Sequence, residues 1–130
     1  MKMNYSTEVA QHMGVVLSRF GFTLEEASDS ITYGDRPAGA VFYRSADCKL
    51  QICWSARDGG LDIMLARLDA PNEFGLANKS KKWHFLLMLD ESEDGLVTPA
   101  VGASSEELWA WRNALLEAHF SAAHANLLAA

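Results

Sequence analysis

Along residues 48–56 the side chains alternate without a break, with Cys48, Leu50, Ile52, Trp54 and Ala56 on one face and Lys49, Gln51, Cys53 and Ser55 on the other. A period of two with β-branched and aromatic residues marks a strand with one buried face. Arg57-Asp58-Gly59-Gly60 ends the run, and Asp-Gly suits a two-residue hairpin turn because both positions tolerate positive φ. With Asp58 and Gly59 as the turn, Trp54 falls opposite Ile63 and Ile52 opposite Leu65. Residues 61–68 alternate in the same way, Leu61, Ile63 and Leu65 against Asp62, Met64 and Ala66. Before them, Phe42 lies on one face and Val41 and Tyr43 on the other. The pattern predicts an antiparallel meander over residues 41–69. The second face of its last strand is only half polar, which calls for a cover.

A different period frames the meander. Val9, Met13, Val16, Leu17 and Phe20 recur at i, i+4, i+7, i+8 and i+11, the apolar stripe of an amphipathic helix. Ser6 serves as its N-cap, Glu8 lies in its first turn, and Gly21 stops it by taking the left-handed position after the last turn. At the other end Ser104-Ser105-Glu106-Glu107 spells a capping box, and residues 108–128 contain neither Gly nor Pro.

The intervening stretches are less regular. Residues 22–24 read as a short extended piece, 30–33 as a first strand, and 34–39 as a loop or wide hairpin connection. Residues 72–80, with Pro71 just before them and Phe74 inside, read as a loop packed on the body. Residues 83–89 are continuously apolar, with Lys79, Lys81 and Lys82 before them and Asp90, Glu91, Glu93 and Asp94 after. That charge order opposes a helix dipole, so a strand is favoured. Residues 96–101 read as another extended piece. The expectation is an α+β domain spanning residues 1–130. An antiparallel sheet of four to six strands carries an N-terminal helix (about 6–20) and a C-terminal helix (about 105–128).

Charge and size narrow the function classes. A chain of 130 residues with 49% hydrophobic content can bury a core. Eleven basic against 17 acidic residues leave a net charge of −6, which argues against a nucleic-acid binder and suits a basic partner. The Lys79–Lys82 cluster then reads as a solvated turn. No apolar run resembles a signal peptide or a membrane span, so cytoplasm is the expected setting. Cys48 and Cys53, an odd number of residues apart on one strand, point to opposite faces and read as reduced thiols.

Recognisable catalytic chemistry is missing. There is no G-x-S-x-G elbow, papain-like cysteine context, G-x-G-x-x-G or P-loop. His119 and His124 are five apart on a helix, a spacing that turns their rings apart, so no metal or cofactor is expected. An enzyme would need a cleft assembled from distant residues such as Arg44, Arg67, Asp69 and His84.

The closing helix carries the surface clue. Trp109 and Trp111 project about 200° apart around its axis, and residues 119–128 hold no formally charged side chain. A helix without a charged face is buried or paired. Trp109, Trp111 and Arg112, with Lys49, Gln51 and Asp62 of the polar sheet face, are therefore the candidate partner-binding residues. A protein partner or a second copy of the chain would cover them. In element order and charge the chain resembles two groups of small bacterial proteins. One is the immunity proteins that neutralise toxins, which implies a non-catalytic, antitoxin-like binding domain. The other is the homodimeric type III secretion chaperones, although Arg57-Asp58-Gly59-Gly60 stands where their pattern has a helix. A small enzyme or ligand-binding domain is the third reading.

Overall fold

The computed structural model describes residues 5–56 and 60–129. Helix α1 (Tyr5–Arg19) leads into strands β1 (Thr23–Tyr33), β2 (Arg36–Arg44), β3 (Cys48–Ser55) and β4 (Gly60–Arg67). After a long loop come β5 (His84–Phe85), a single helical turn α2 (Leu86–Leu89) and the closing helix α3 (Ser105–Ala129). The five strands form one antiparallel sheet in the order β1-β2-β3-β4-β5, an α+β arrangement with both long helices on one face.

The alternation of β3 sorts the core as expected. Cys48, Leu50 and Ile52 join Val41, Tyr43 and Leu65 beneath Val9, Met13 and Leu17 of α1 and Leu116, Phe120 and Leu127 of α3. The register differs by two residues from the one that an Asp58-Gly59 turn requires. Trp54 pairs with Leu61 and Ile52 with Ile63, because the strands meet at Ser55 and Gly60 and leave 56–59 as the connection. Asp58 and Gly59 themselves lie outside the described residues. A shift of two preserves the parity of the side chains, so the apolar faces still match.

Three further expectations change. Residues 22–24 and 30–33 belong to one strand, β1, which irregularities between Leu24 and Glu26 and between Ser28 and Ile31 bend along its length. The β1–β2 connection is tight, with Gly34 and Asp35 both at positive φ (58° and 61°), the paired conformation that matches sheet twist. Ser6 sits inside the first turn of α1, which begins at Tyr5. Gly21, at φ 85°, ends that helix as expected, with the Phe22 amide returning to the Leu17 carbonyl at 3.0 Å.

Residues 83–89 are neither all strand nor all helix. Phe85 pairs with Met64 in the sheet, and the chain then coils at Leu86. A helical turn puts Leu86 and Leu89 on one side, where both pack on the core, a pairing that strand alternation would have divided. Residues 96–101 form no strand.

The second sheet face is covered at its centre. Residues 70–83 fold across it and bury Phe42, Cys53, Met64 and Ala66 beneath Ala70 and Trp83. Polar side chains of β3 hold this cover in place. Lys49 donates to the Ala70 carbonyl at 2.9 Å and lies 3.4 Å from Glu25. Gln51 donates to the Glu73 carbonyl at 3.2 Å and accepts the Gly75 amide at 2.7 Å. The Trp83 indole donates to the Pro71 carbonyl at 2.9 Å. Each pairing satisfies a buried polar group that would otherwise oppose folding.

Candidate functional site

The short fifth strand leaves an apolar cleft on the surface. β5 pairs only with Met64 and Leu65, so among the described residues the outer side of β4 has no neighbouring strand at Leu61 and Ile63. Between that edge, α2 and α3 lies a cleft of about 340 Å³, walled by Leu61, Ile63, Leu87, Met88, Trp111 and Leu115. Its floor reaches Met13 and Ile52 of the core. Leu87 and Met88 are 46% and 70% exposed, as α2 turns Leu86 inward and necessarily turns its neighbours out. A cavity of this size with apolar walls and few polar groups has the composition of a binding site.

Two charged side chains stand at the cleft, Asp62 from β4 and Arg112 from α3. The Arg112 guanidinium lies over the Trp109 ring at 4.7 Å, a cation–π contact. Burial pulls its pKa below the usual value, and the fields of Tyr5 and Glu8 only partly offset this. Trp109 is itself buried, stacked on His12 of α1 with ring centroids 4.9 Å apart and planes 7° from parallel. Asn113 adds a hydrogen bond of 2.7 Å to the His12 carbonyl, which locks the two helices together.

The structure thus divides the six candidate residues. Asp62, Trp111 and Arg112 come together at one cleft. Trp109 supports the cleft from within the helix packing. Lys49 and Gln51 are 3% and 0% exposed beneath the 70–83 loop and offer no outer surface, because their long polar side chains reach the loop backbone. Within the chain α1 takes the Trp109 side of α3 and α2 the Trp111 side. Leu61, Ile63, Leu87, Met88 and Leu115 were not singled out from the sequence. The run Leu86-Leu87-Met88-Leu89 did carry a signal, since one helical turn cannot bury four consecutive large apolar residues.

Other groups of chemical interest are engaged elsewhere. Arg67, Asp69 and His84 line one cavity of about 300 Å³, while Arg44 lies apart and pairs with Glu25. Arg67 donates to the Leu128 carbonyl at 2.9 Å and Asp69 meets Lys82 at 2.8 Å, so both close contacts of the fold. Hydrogen bonds from Arg44 and Asn72 hold Glu25 at a pKa of about 2. His119 is clamped between Asp90 at 2.9 Å and Asp94 at 2.5 Å, which ties the 90–104 stretch to α3. Asp47, Cys48 and His124 are the described residues whose donor atoms gather within 4.8 Å as a metal site would need. There Asp47 already meets His124 at 3.0 Å, and burial raises the Cys48 thiol.

No protein family, curated protein or solved structure matches the chain. Among the described residues no helix is long and apolar enough to cross a membrane.

Proposed function

We propose that the protein is a protein-binding domain without catalytic activity and that the cleft between β4, α2 and α3 receives an apolar segment of its partner. The observation that carries this reading is the exposure of Leu87 and Met88 at the rim of a cavity whose walls are otherwise Leu61, Ile63, Trp111 and Leu115. Covering that surface removes apolar area from water, the main driving force of protein association. Neutralisation of a basic toxin in the cytoplasm is the specific form of this proposal. The net charge of −6 supports the choice of a basic partner, and two free buried thiols support a reducing compartment.

The test is calorimetry between the purified protein and the partner it captures from its source lysate, with Leu87→Asp and Met88→Asp as variants. Both side chains are exposed, so the substitutions leave the core intact. Affinity is expected to fall at least tenfold, roughly 1.4 kcal/mol. Unchanged affinity in both variants places docking elsewhere. The same variants in sedimentation equilibrium test a second copy of the chain as the occupant, because a dimer built on this cleft dissociates when Met88 becomes Asp.

A further inference from the structure

This inference rests on the docking role of the cleft and specifies the chemistry of the segment that docks. The β5 register sets His84 against Leu65 and Phe85 against Met64, and its continuation would set Leu86 against Ile63. The chain instead coils at Leu86, and the cleft occupies the space that a longer strand would fill. A second cavity of about 390 Å³ continues past it, lined by Tyr5, Trp54, Gly60 and Trp109. The two cavities share Leu61 and Arg112. They adjoin at these two residues, the first cavity beside β4 and the second reaching from Leu61 across the end of β3 to α1. Together they form a groove with Arg112 at the junction.

Arg112 is half-buried and, among the described residues, has no ion pair and no hydrogen bond. Glu8 lines the second cavity, yet it acts on the guanidinium only through its field. A partly desolvated cation without an acceptor is costly to hold, and a bidentate carboxylate is the ligand that matches its fork of donors. Space lies on both sides of Arg112, so a chain passes over it rather than ending there. That geometry favours an acidic side chain within a segment over a terminal carboxylate.

We infer that the groove takes an extended partner segment laid against the outer edge of β4, with an internal Asp or Glu on Arg112 and an apolar side chain two residues to either side. Residues two apart on a strand share a face, so the flanking side chains enter the two cavities while the carboxylate meets the guanidinium. The single acidic residue fixes register, while the net charge of the domain draws a segment that is otherwise neutral or basic.

The experiment is selection of displayed random heptapeptides on the intact protein, followed by fluorescence anisotropy of the best labelled peptide. Melting curves of each variant confirm that it is folded. The expected consensus is apolar–x–acidic–x–apolar. Arg112→Glu should select Lys or Arg at the central place, and Arg112→Gln should weaken the original peptide at least tenfold, with Arg112→Lys intermediate. An apolar consensus indifferent to residue 112 overturns the carboxylate assignment and leaves the docking role intact. Absence of any enriched peptide overturns both. Stoichiometric binding of decanoate by calorimetry without peptide enrichment also overturns both, because the groove is then a small-molecule site.

Discussion

The Gln51 carboxamide oxygen accepts the backbone N–H of Gly75 at 2.7 Å in a fully buried site. That single contact joins the centre of the sheet to the loop that covers it. Gln51→Leu keeps the volume and removes the acceptor, leaving the Gly75 amide and the Glu73 carbonyl without their partner. A loss of about 1–3 kcal/mol is expected from urea denaturation. Gly75→Ala tests the same junction sterically. A Cβ there would lie 2.3 Å from the Met64 sulfur and 3.0 Å from the Gln51 nitrogen, both inside the core. About 1–3 kcal/mol is again expected. Two unchanged denaturation midpoints would show that the loop contributes nothing to stability.

The two tryptophans that face opposite sides of the sheet differ in burial, and their substitutions should differ in the same order. Trp83 is 1% exposed and packs on Phe42, with ring centroids 5.8 Å apart. Trp83→Ala should cost about 3–5 kcal/mol. Trp54 is only partly buried, stacked on Tyr5 at 4.4 Å, and its indole nitrogen has no hydrogen-bond partner among the described residues. Trp54→Ala should therefore cost less than Trp83→Ala. The reverse order by thermal or urea denaturation would contradict this assignment of the core.

Stability should depend on pH through His119. Burial lowers its pKa, but the hydrogen bonds to Asp94 and Asp90, with their charges, outweigh it and raise the net value above 6.5. Its contribution is complete below the unfolded value and is lost as pH rises through the folded one. Asp90, held down chiefly by the Ser92 hydroxyl and then by His119, and Asp94, held down chiefly by His119, lie below 3.8. Their contribution is complete above the unfolded value and is lost as pH falls through the folded ones. The clamp is strongest between these limits. Between about pH 5.5 and about pH 9 the wild type should lose more stability than His119→Gln. Equal losses in urea midpoint would show that the imidazole pKa is not raised by folding, and a smaller loss in the wild type would show that it is lowered.

How far the sequence could be read depended on what each signal encodes. The stripe from Val9 to Leu17 and the alternation from Cys48 to Ile52 report burial directly, and the Ser104–Glu107 capping box marks a helix start, so both helices and the main core face were legible. Strand register was not, because Trp54 can face Leu61 or Ile63 without changing which face it occupies. Lys49 and Gln51 read as partner-facing positions, since a polar residue bonded to a covering backbone has the same identity as one left open to a partner. The cleft was hardest to see. Its walls come from β4, α2 and α3, and only the exposed pair Leu87 and Met88 left a mark, as surplus apolar residues in a helical turn.

Both cysteines should be inert in the native state. Burial, with the Asp62 charge, pushes the Cys53 thiol up to about 12, and burial raises Cys48 as well. Thiolate is the reacting form. At about pH 8 iodoacetamide should modify neither residue in the folded protein and both in urea, as followed by mass spectrometry. Rapid native modification of Cys53 would show that the 70–83 loop opens readily.

The order β1-β2-β3-β4-β5 also sets a timetable. Each strand finds its partner in the segment made just before it, so the sheet can zip up during synthesis at little loop-closure cost. The contacts that close the molecule come last: Asn113 reaches back 101 residues to His12, and Glu117 reaches back 98 to Arg19. Until α3 has emerged, the face bearing Leu50, Ile52 and Leu65 is half roofed by α1 alone. That interval is when a nascent chain is most prone to aggregate, and a chain that stops short of Phe120 never leaves it.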